Sequence, residues 1–226
     1  MTKLILASGS PRRRALIQLL NYPAQVVVSN VDEEAIMIAD PAAYVLETAR
    51  QKAAAVADML TENSFFDSDT EKRILVAADT TVALDDEILG KPADAAAASD
   101  MLRRQRNRHH LVHTATVAID LDSGRHIDGV NSTVVTMRAY TDKEIEAYIA
   151  TGDPFDKAGA YAIQHQTFSP VAAVEGCYLT VVGLSICHLT LLLAELGISP
   201  EVKTDALWEA HQGFDCPLFE KLISER

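Results

Sequence analysis

Three features of this sequence predict an α/β fold: a mixed sheet with flanking helices. The apolar run Lys3–Ser8 meets a Gly9-Ser10-Pro11 break and then a helical pattern, a strand–turn–helix unit. The stretches Leu111–Leu121 and Val130–Arg138 are rich in Val, Ile and Thr and alternate in polarity, as two strands of an antiparallel pair do. Between them and the N-terminus, Leu46, Ala49, Ala53, Val56 and Leu60 repeat at helical spacing over about residues 41–60. Helical crossovers produce parallel pairing and hairpins produce antiparallel pairing, so a mixed sheet follows.

The elements are read in chain order. Ser10 is placed to cap the first helix and Pro11 suits its first position, with the helix reaching about Leu20. Gln25–Ser29 reads as a second strand running into Asp32-Glu33-Glu34. The polar segment 61–73 reads as a surface loop, and Ile74–Ala78 as a short strand that delivers Asp79-Thr80-Thr81 at its end. Gly90-Lys91-Pro92 is a turn, followed by an Ala-rich helix over about Asp94–Arg104. Thr141-Asp142-Lys143-Glu144 is a capping box whose helix stops before Gly152 and Pro154. Val171–Val174 and Tyr178–Val182 read as strands, a helix runs from about Ser185 to Gly197, and the tail from Ser199 is helical and polar.

Composition narrows the function. The 226 residues carry 20 Lys and Arg against 32 Asp and Glu, a net charge of −12. That sign disfavours sequence-independent binding to nucleic acid, which needs a basic surface. It leaves room for a small polyanion in one local basic pocket. No apolar run reaches the ~18 residues that span a bilayer, and the N-terminus lacks the apolar length of a signal peptide, so no membrane partner and a cytoplasmic location are expected. Cys177, Cys187 and Cys216 form no CxxC pair and read as free packing residues in a reducing compartment.

The strongest chemical signal is Ser8-Gly9-Ser10-Pro11-Arg12-Arg13-Arg14. A helix N-terminus offers unpaired N–H groups and partial positive charge to an anion. Three arginines in that first turn oppose the dipole by about 0.3–1 kcal/mol each, a cost that a bound phosphate chain would offset. Asp79, at the end of an apolar strand, could hold a divalent metal or take a proton from water; Glu33 is a possible second carboxylate. Lys52 borders the apolar stripe of its helix and must snorkel or meet an anion, and Lys91 and Lys157 are further candidate phosphate donors. His109, His110 and His113 stand on a predicted strand, where four residues span ~13 Å, too far for one ion.

Taken together, LASGSPRRR (6–14), VDEE (31–34), ARQKA (49–53), AADTTV (77–82), LGKP (89–92), TGDPFDKAGAYAIQ (151–164) and VEGCYLTVVGLS (174–185) resemble the Maf family of nucleotide pyrophosphatases in order and spacing. The resemblance covers about Leu4 to Leu196 and implies two lobes around a deep nucleotide-binding cleft. It implies hydrolysis of a nucleoside triphosphate between the α- and β-phosphates, a divalent metal such as Mg²⁺ or Mn²⁺, and a homodimer. It also implies a catalytic Asp79, base-selecting Arg12, Thr80 and Gln164, phosphate-holding Ser8, Arg13, Lys52 and Lys91, and metal-binding Glu33 and Asp79. The SPRR motif is similar to the branch acting on dTTP and UTP, the alternatives being 7-methyl-GTP hydrolysis or a non-catalytic nucleotide sensor controlling septum formation. Residues 1–198 then form the family domain and 199–226 a helical extension. The chain departs from the family pattern at Asn107, His109, His165, Thr180 and Ser185.

Overall fold

The computed structural model describes residues 2–62 and 72–224, and most of the predicted loop 61–73 lies outside them. The strands are β1 (Thr2–Leu6), β2 (Ala24–Val26), β3 (Lys72–Leu84), β4 (Glu87–Leu89), β5 (His109–Asp120), β6 (His126–Met137) and β7 (Val171–Glu175). The helices are α1 (Pro11–Ile17), α2 (Pro41–Glu62), α3 (Ala95–Gln105), α4 (Asp142–Ile149), α5 (Tyr178–Val182), α6 (Ile186–Glu195), α7 (Thr204–Ala210) and α8 (Pro217–Ser224). The strands form one mixed sheet in the order β2-β1-β3-β5-β6-β7, with β4 beside the far end of β3. β2, β1 and β3 are parallel, and β3, β5, β6 and β7 are antiparallel.

The length of β3 corrects the sequence reading. It runs for 13 residues, straight through Asp79, instead of stopping at Ala78. β5 pairs with it from Ile74 to Ala83, so its backbone groups stay satisfied after β1 ends at Leu6, opposite Val76. Asp79 therefore sits in mid-strand, three residues beyond the last pair with β1. The carboxyl edge that matters is that of β1. The hairpin from β3 to β4 turns at Asp85 and Asp86, both with positive φ (51° and 64°), a conformation short polar side chains tolerate.

Period-two alternation along β1 and β3 divides the core. Leu4, Leu6, Ile74, Val76 and Ala78 face one cluster with α1, α5 and α6. Ile5, Ala7, Leu75 and Ala77 face the opposite cluster, under Val45, Ala49, Ala53 and Val56 of α2. Beyond Asp79, Val82 and Leu84 join a third cluster with Leu102 of α3 and Ile145 and Tyr148 of α4. Each fully buried aliphatic side chain contributes about 1.5–3 kcal/mol. These clusters make two lobes on one shared sheet, and β3 is the strand that passes from one to the other.

Two further readings change. Residues 178–182 are a helix, not a strand. A short apolar run fits either state, and tertiary context decides. Gly176, at φ 128°, turns the chain off the sheet edge after β7. The Thr133 hydroxyl then accepts from the N–H of Cys177 and donates to its carbonyl, at 3.0 and 3.1 Å. The tail is helical as expected, but its polarity holds only for the outer face. Leu207, Cys216, Phe219 and Leu222 are buried in the cluster that contains Leu4 and Leu6. The capping box at Thr141 and Glu144 forms as predicted.

Candidate active site

Asp79 and Thr80 are neighbours on β3, so their side chains leave opposite faces of the sheet. Asp79 shares the face of Leu75 and Ala77, where α2 lies, and there Lys52 donates to its Oδ1 at 2.6 Å. Lys52 also meets Glu33 Oε1 at 2.7 Å. One ammonium thus bridges two carboxylates brought from strand and loop. Lys52 is three residues past buried Ala49, the stripe-border position that called for an anion. Thr80 shares the face of Ala78, where α1 packs, and Arg13 Nη2 donates to its Oγ1 at 3.0 Å. Arg13 Nε donates to the carbonyl of Gly183 at 2.8 Å. Gly183 has φ 122°, a region that side chains rarely adopt, and an added Cβ would lie 3.5 Å from both Arg13 Nε and Thr80 Oγ1. The Thr80 hydroxyl continues to Thr114 Oγ1 at 2.8 Å, and Thr114 donates to the carbonyl of Thr180.

These groups open on a cavity of about 710 Å³ between the lobes. Ser10, Arg12 and Arg13 line it from the start of α1; Asp32 and Glu33 from the loop after β2; Tyr44 and Lys52 from α2; and Lys91, Lys157 and Gln164 from the second lobe. Gly159 lets that lobe close against β3. It has φ 70°, and a Cβ there would stand 3.0 Å from Val82 Cγ1. Eight of the nine residues singled out by the resemblance line this one cavity. Ser8 does not: it is buried in the turn behind, and its hydroxyl accepts from the N–H of Ser10.

The cavity carries both signs of charge, close enough to act on one another. Lys52 offsets part of the charge of Asp79 and Glu33. Burial pushes the Glu33 carboxyl up, but its hydrogen bond to Lys52 and the charges of Lys52, Lys91 and Arg13 outweigh that and hold it below the ordinary value. The Tyr44 hydroxyl nearby is pushed up, first by burial and then by the charges of Asp79 and Glu33. The side chains of Arg12 and Lys91 make no hydrogen bond or ion pair among the described residues, which leaves both cations available to an anion. Burial lowers the pKa of Arg13, opposed by the nearby Asp79. Lys157 is already committed to the Asp153 carbonyl at 2.7 Å and carboxylate at 2.9 Å.

Sequence reasoning missed Tyr44, Thr114 and Gly183. Tyr44 was legible, since Tyr44, Thr48 and Lys52 fall at spacings of four on one helix face. Thr114 was not, because it depends on the β3–β5 register that sets Thr80 opposite it. The histidines have separate partners: His110 Nε2 meets the Tyr161 hydroxyl and His113 Nδ1 meets Ser132 Oγ.

Known proteins similar to this chain span most of its length. A dTTP/UTP pyrophosphatase of Caldanaerobacter subterraneus subsp. tengcongensis is 41% identical over 197 residues, 87% of this chain and 90% of that protein. Proteins of the same name from Moorella thermoacetica and Nitratidesulfovibrio vulgaris are 42% and 44% identical, covering 88% and 85% of this chain and 97% and 87% of their own length. The solved Ham1 protein of Staphylococcus aureus is more distant, with TM-score 0.43 and 13% identity over 74% of this chain and 90% of that one. A family model described as Maf-like protein matches residues 3–196, both lobes and the cavity between them, and this chain belongs to that family.

Proposed function

We propose that this chain hydrolyses nucleoside triphosphates, dTTP and UTP in preference, to the monophosphate and pyrophosphate. The observation that carries the reading is the meeting of two charge sets in one cavity: the Asp79–Lys52–Glu33 unit and the cations Arg12, Arg13 and Lys91. Water attacks the α-phosphorus and gives its proton to Asp79, the P–O bond to the β-phosphate breaks, and pyrophosphate departs with the bonding pair. Arg12, Arg13 and Lys91 stabilise the charge that develops on that leaving group. Lys52 orients the Asp79 carboxylate and limits its repulsion with Glu33. Thr80, held by Arg13 and Thr114, and Gln164 are assigned to the base, with Arg12 shared between base and phosphates. The names of the relatives support the substrate choice.

The donor set suits a hard divalent cation. Glu33 and Asp79 offer carboxylate oxygens, and Asp32 lines the same wall, so these residues would hold Mg²⁺ or Mn²⁺. When bound, that ion neutralises phosphate charge and polarises the reacting phosphoryl group. In this reading residues 1–198 are the catalytic body and 199–226 an extension of it. It includes a homodimer, which light scattering at the monomer mass would refute, and action in the cytoplasm. Among the described residues no helix is long and apolar enough to cross a membrane.

The test is product analysis. The protein is incubated with UTP, dTTP, CTP, ATP, GTP and 7-methyl-GTP in Mg²⁺ or Mn²⁺. UMP plus pyrophosphate from UTP is expected. UDP plus orthophosphate refutes the bond assignment, and faster turnover of 7-methyl-GTP refutes the substrate assignment.

A further inference from the structure

Away from the cleft, all three cysteines of the chain converge on one histidine. Cys177, Cys187, Cys216 and His211 are each about 1% exposed or less. Their three Sγ atoms and one imidazole nitrogen lie within 4.8 Å of one another. His211 Nε2 is 3.6 Å from Cys177 Sγ and 3.7 Å from Cys187 Sγ. A tetrahedral zinc with bonds of about 2.3 Å to sulfur and about 2.05 Å to nitrogen sets such S···N edges near 3.6 Å and S···S edges near 3.8 Å. The four side chains come from four places: the end of the β7–α5 turn, α6, the end of α7 and the start of α8.

We propose that Cys177, Cys187, His211 and Cys216 bind one structural zinc ion that staples the C-terminal helices to the body of the protein. The surroundings of the cluster support it. His211 Nδ1 lies 2.7 Å from the carbonyl of Leu207, an acceptor only, so Nδ1 carries the proton and Nε2 presents its lone pair to the sulfurs. The backbone of Cys177 is clamped on both sides by the Thr133 hydroxyl. Ser185 Oγ lies 3.2 Å from Cys177 Sγ, placed to donate to a thiolate. Without an ion, three thiols share one acceptor nitrogen, which takes one S–H, with the Ser185 hydroxyl as a further partner for Cys177 alone. Three sulfurs and one imidazole are a borderline-soft set that selects zinc over Mg²⁺ or Mn²⁺. Four protein ligands in a dry pocket leave no open position, so the ion holds structure and performs no chemistry.

The site crosses the limit of the family match. Two ligands, Cys177 and Cys187, lie within residues 3–196, and two, His211 and Cys216, lie beyond. Zinc binding thereby couples the extension to the strand turn that leads into α5, the helix ending at Gly183 beside Arg13 and Thr80.

Elemental analysis of the reduced, desalted full-length protein tests this. One zinc per chain is expected, released when an organomercurial blocks the thiols. Exchange for Co²⁺ is expected to give thiolate-to-cobalt charge transfer and the d–d bands of a tetrahedral site. Cys216→Ser and His211→Ala are expected to lose the metal, whereas Asp79→Asn and Glu33→Gln keep it, which separates this ion from any in the cleft. Wild-type protein that contains no zinc, takes up no Co²⁺ with those bands and shows three free thiols overturns the proposal. So does zinc that disappears with Asp79→Asn.

Discussion

The interlobe cleft and the cysteine–histidine cluster gather charged or ligating side chains by opposite physical rules. The cleft is open and lined by hard groups: carboxylates, guanidinium and ammonium. Lys52 is paired with Asp79 and Glu33, whereas the side chains of Arg12 and Lys91 have no partner among the described residues and stay open to an anion, as a site that turns substrate over must allow. The cluster is closed, dry and soft, and nothing can exchange there without opening the fold. The difference lies in how the groups are delivered. Most of the cleft's groups come from the ends of elements in two lobes, which leaves a gap between them. The cluster's groups come from elements that pack on the same hydrophobic cluster, which closes it.

On that contrast, damage to the cleft spoils chemistry and leaves stability, and damage around the cluster does the reverse. The largest effect is expected for Asp79→Asn. General-base catalysis contributes about 10²–10⁴-fold, so kcat should fall by at least that range with an unchanged circular dichroism spectrum. A variant that keeps a third of wild-type turnover removes Asp79 from the chemical step. On the other side, Leu207 is fully buried where α7 meets the core. Leu207→Ala should cost about 2–5 kcal/mol in denaturant unfolding while the kcat/KM for UTP at 25 °C stays within about twofold. A comparable loss of kcat/KM in protein that is still folded would show that the tail feeds the cleft.

Two buried histidines extend the comparison. His211 is tied into the cluster, whereas His110 has only the Tyr161 hydroxyl, and its Nδ1 has no partner among the described residues. Burial, with a smaller contribution from His109, pushes His110 from 6.5 down to about 4. The unfolded chain therefore binds a proton between those values that the folded chain does not, and stability falls as pH drops through that window. The loss attributable to His110 is about 2–3 kcal/mol by pH 4. His110→Gln should flatten that slope whatever it does to stability at pH 7, and an unchanged slope would assign the acid sensitivity elsewhere. The smallest effect concerns base choice. Gln164 is exposed at the cavity wall, so Gln164→Ala should forfeit about 1 kcal/mol, close to a fivefold drop in the UTP/CTP ratio of kcat/KM. An unchanged ratio takes Gln164 out of base recognition.

Much of this molecule was written locally. The strand–turn–helix at Lys3–Ile17, the stripe of α2, the caps at Ser10 and Thr141, and the alternation of β5 and β6 follow from neighbours within a few residues. The cleft residues were legible for a related reason: Arg12, Lys52, Asp79 and Lys91 each sit at a break or border in a local pattern. The remainder depends on register and packing between distant segments. Residues 178–182 became a helix because Gly176 and Thr133 turn the chain off the sheet edge, information absent from the run itself. Asp79 lies in mid-strand because β5 is long enough to continue the pairing after β1 stops. Three cysteines without a spacing motif meet His211 only because α6, α7 and α8 share one hydrophobic cluster. Sequence periodicity reports which face of an element is buried; which elements bury those faces against each other is settled by the packing of the whole chain.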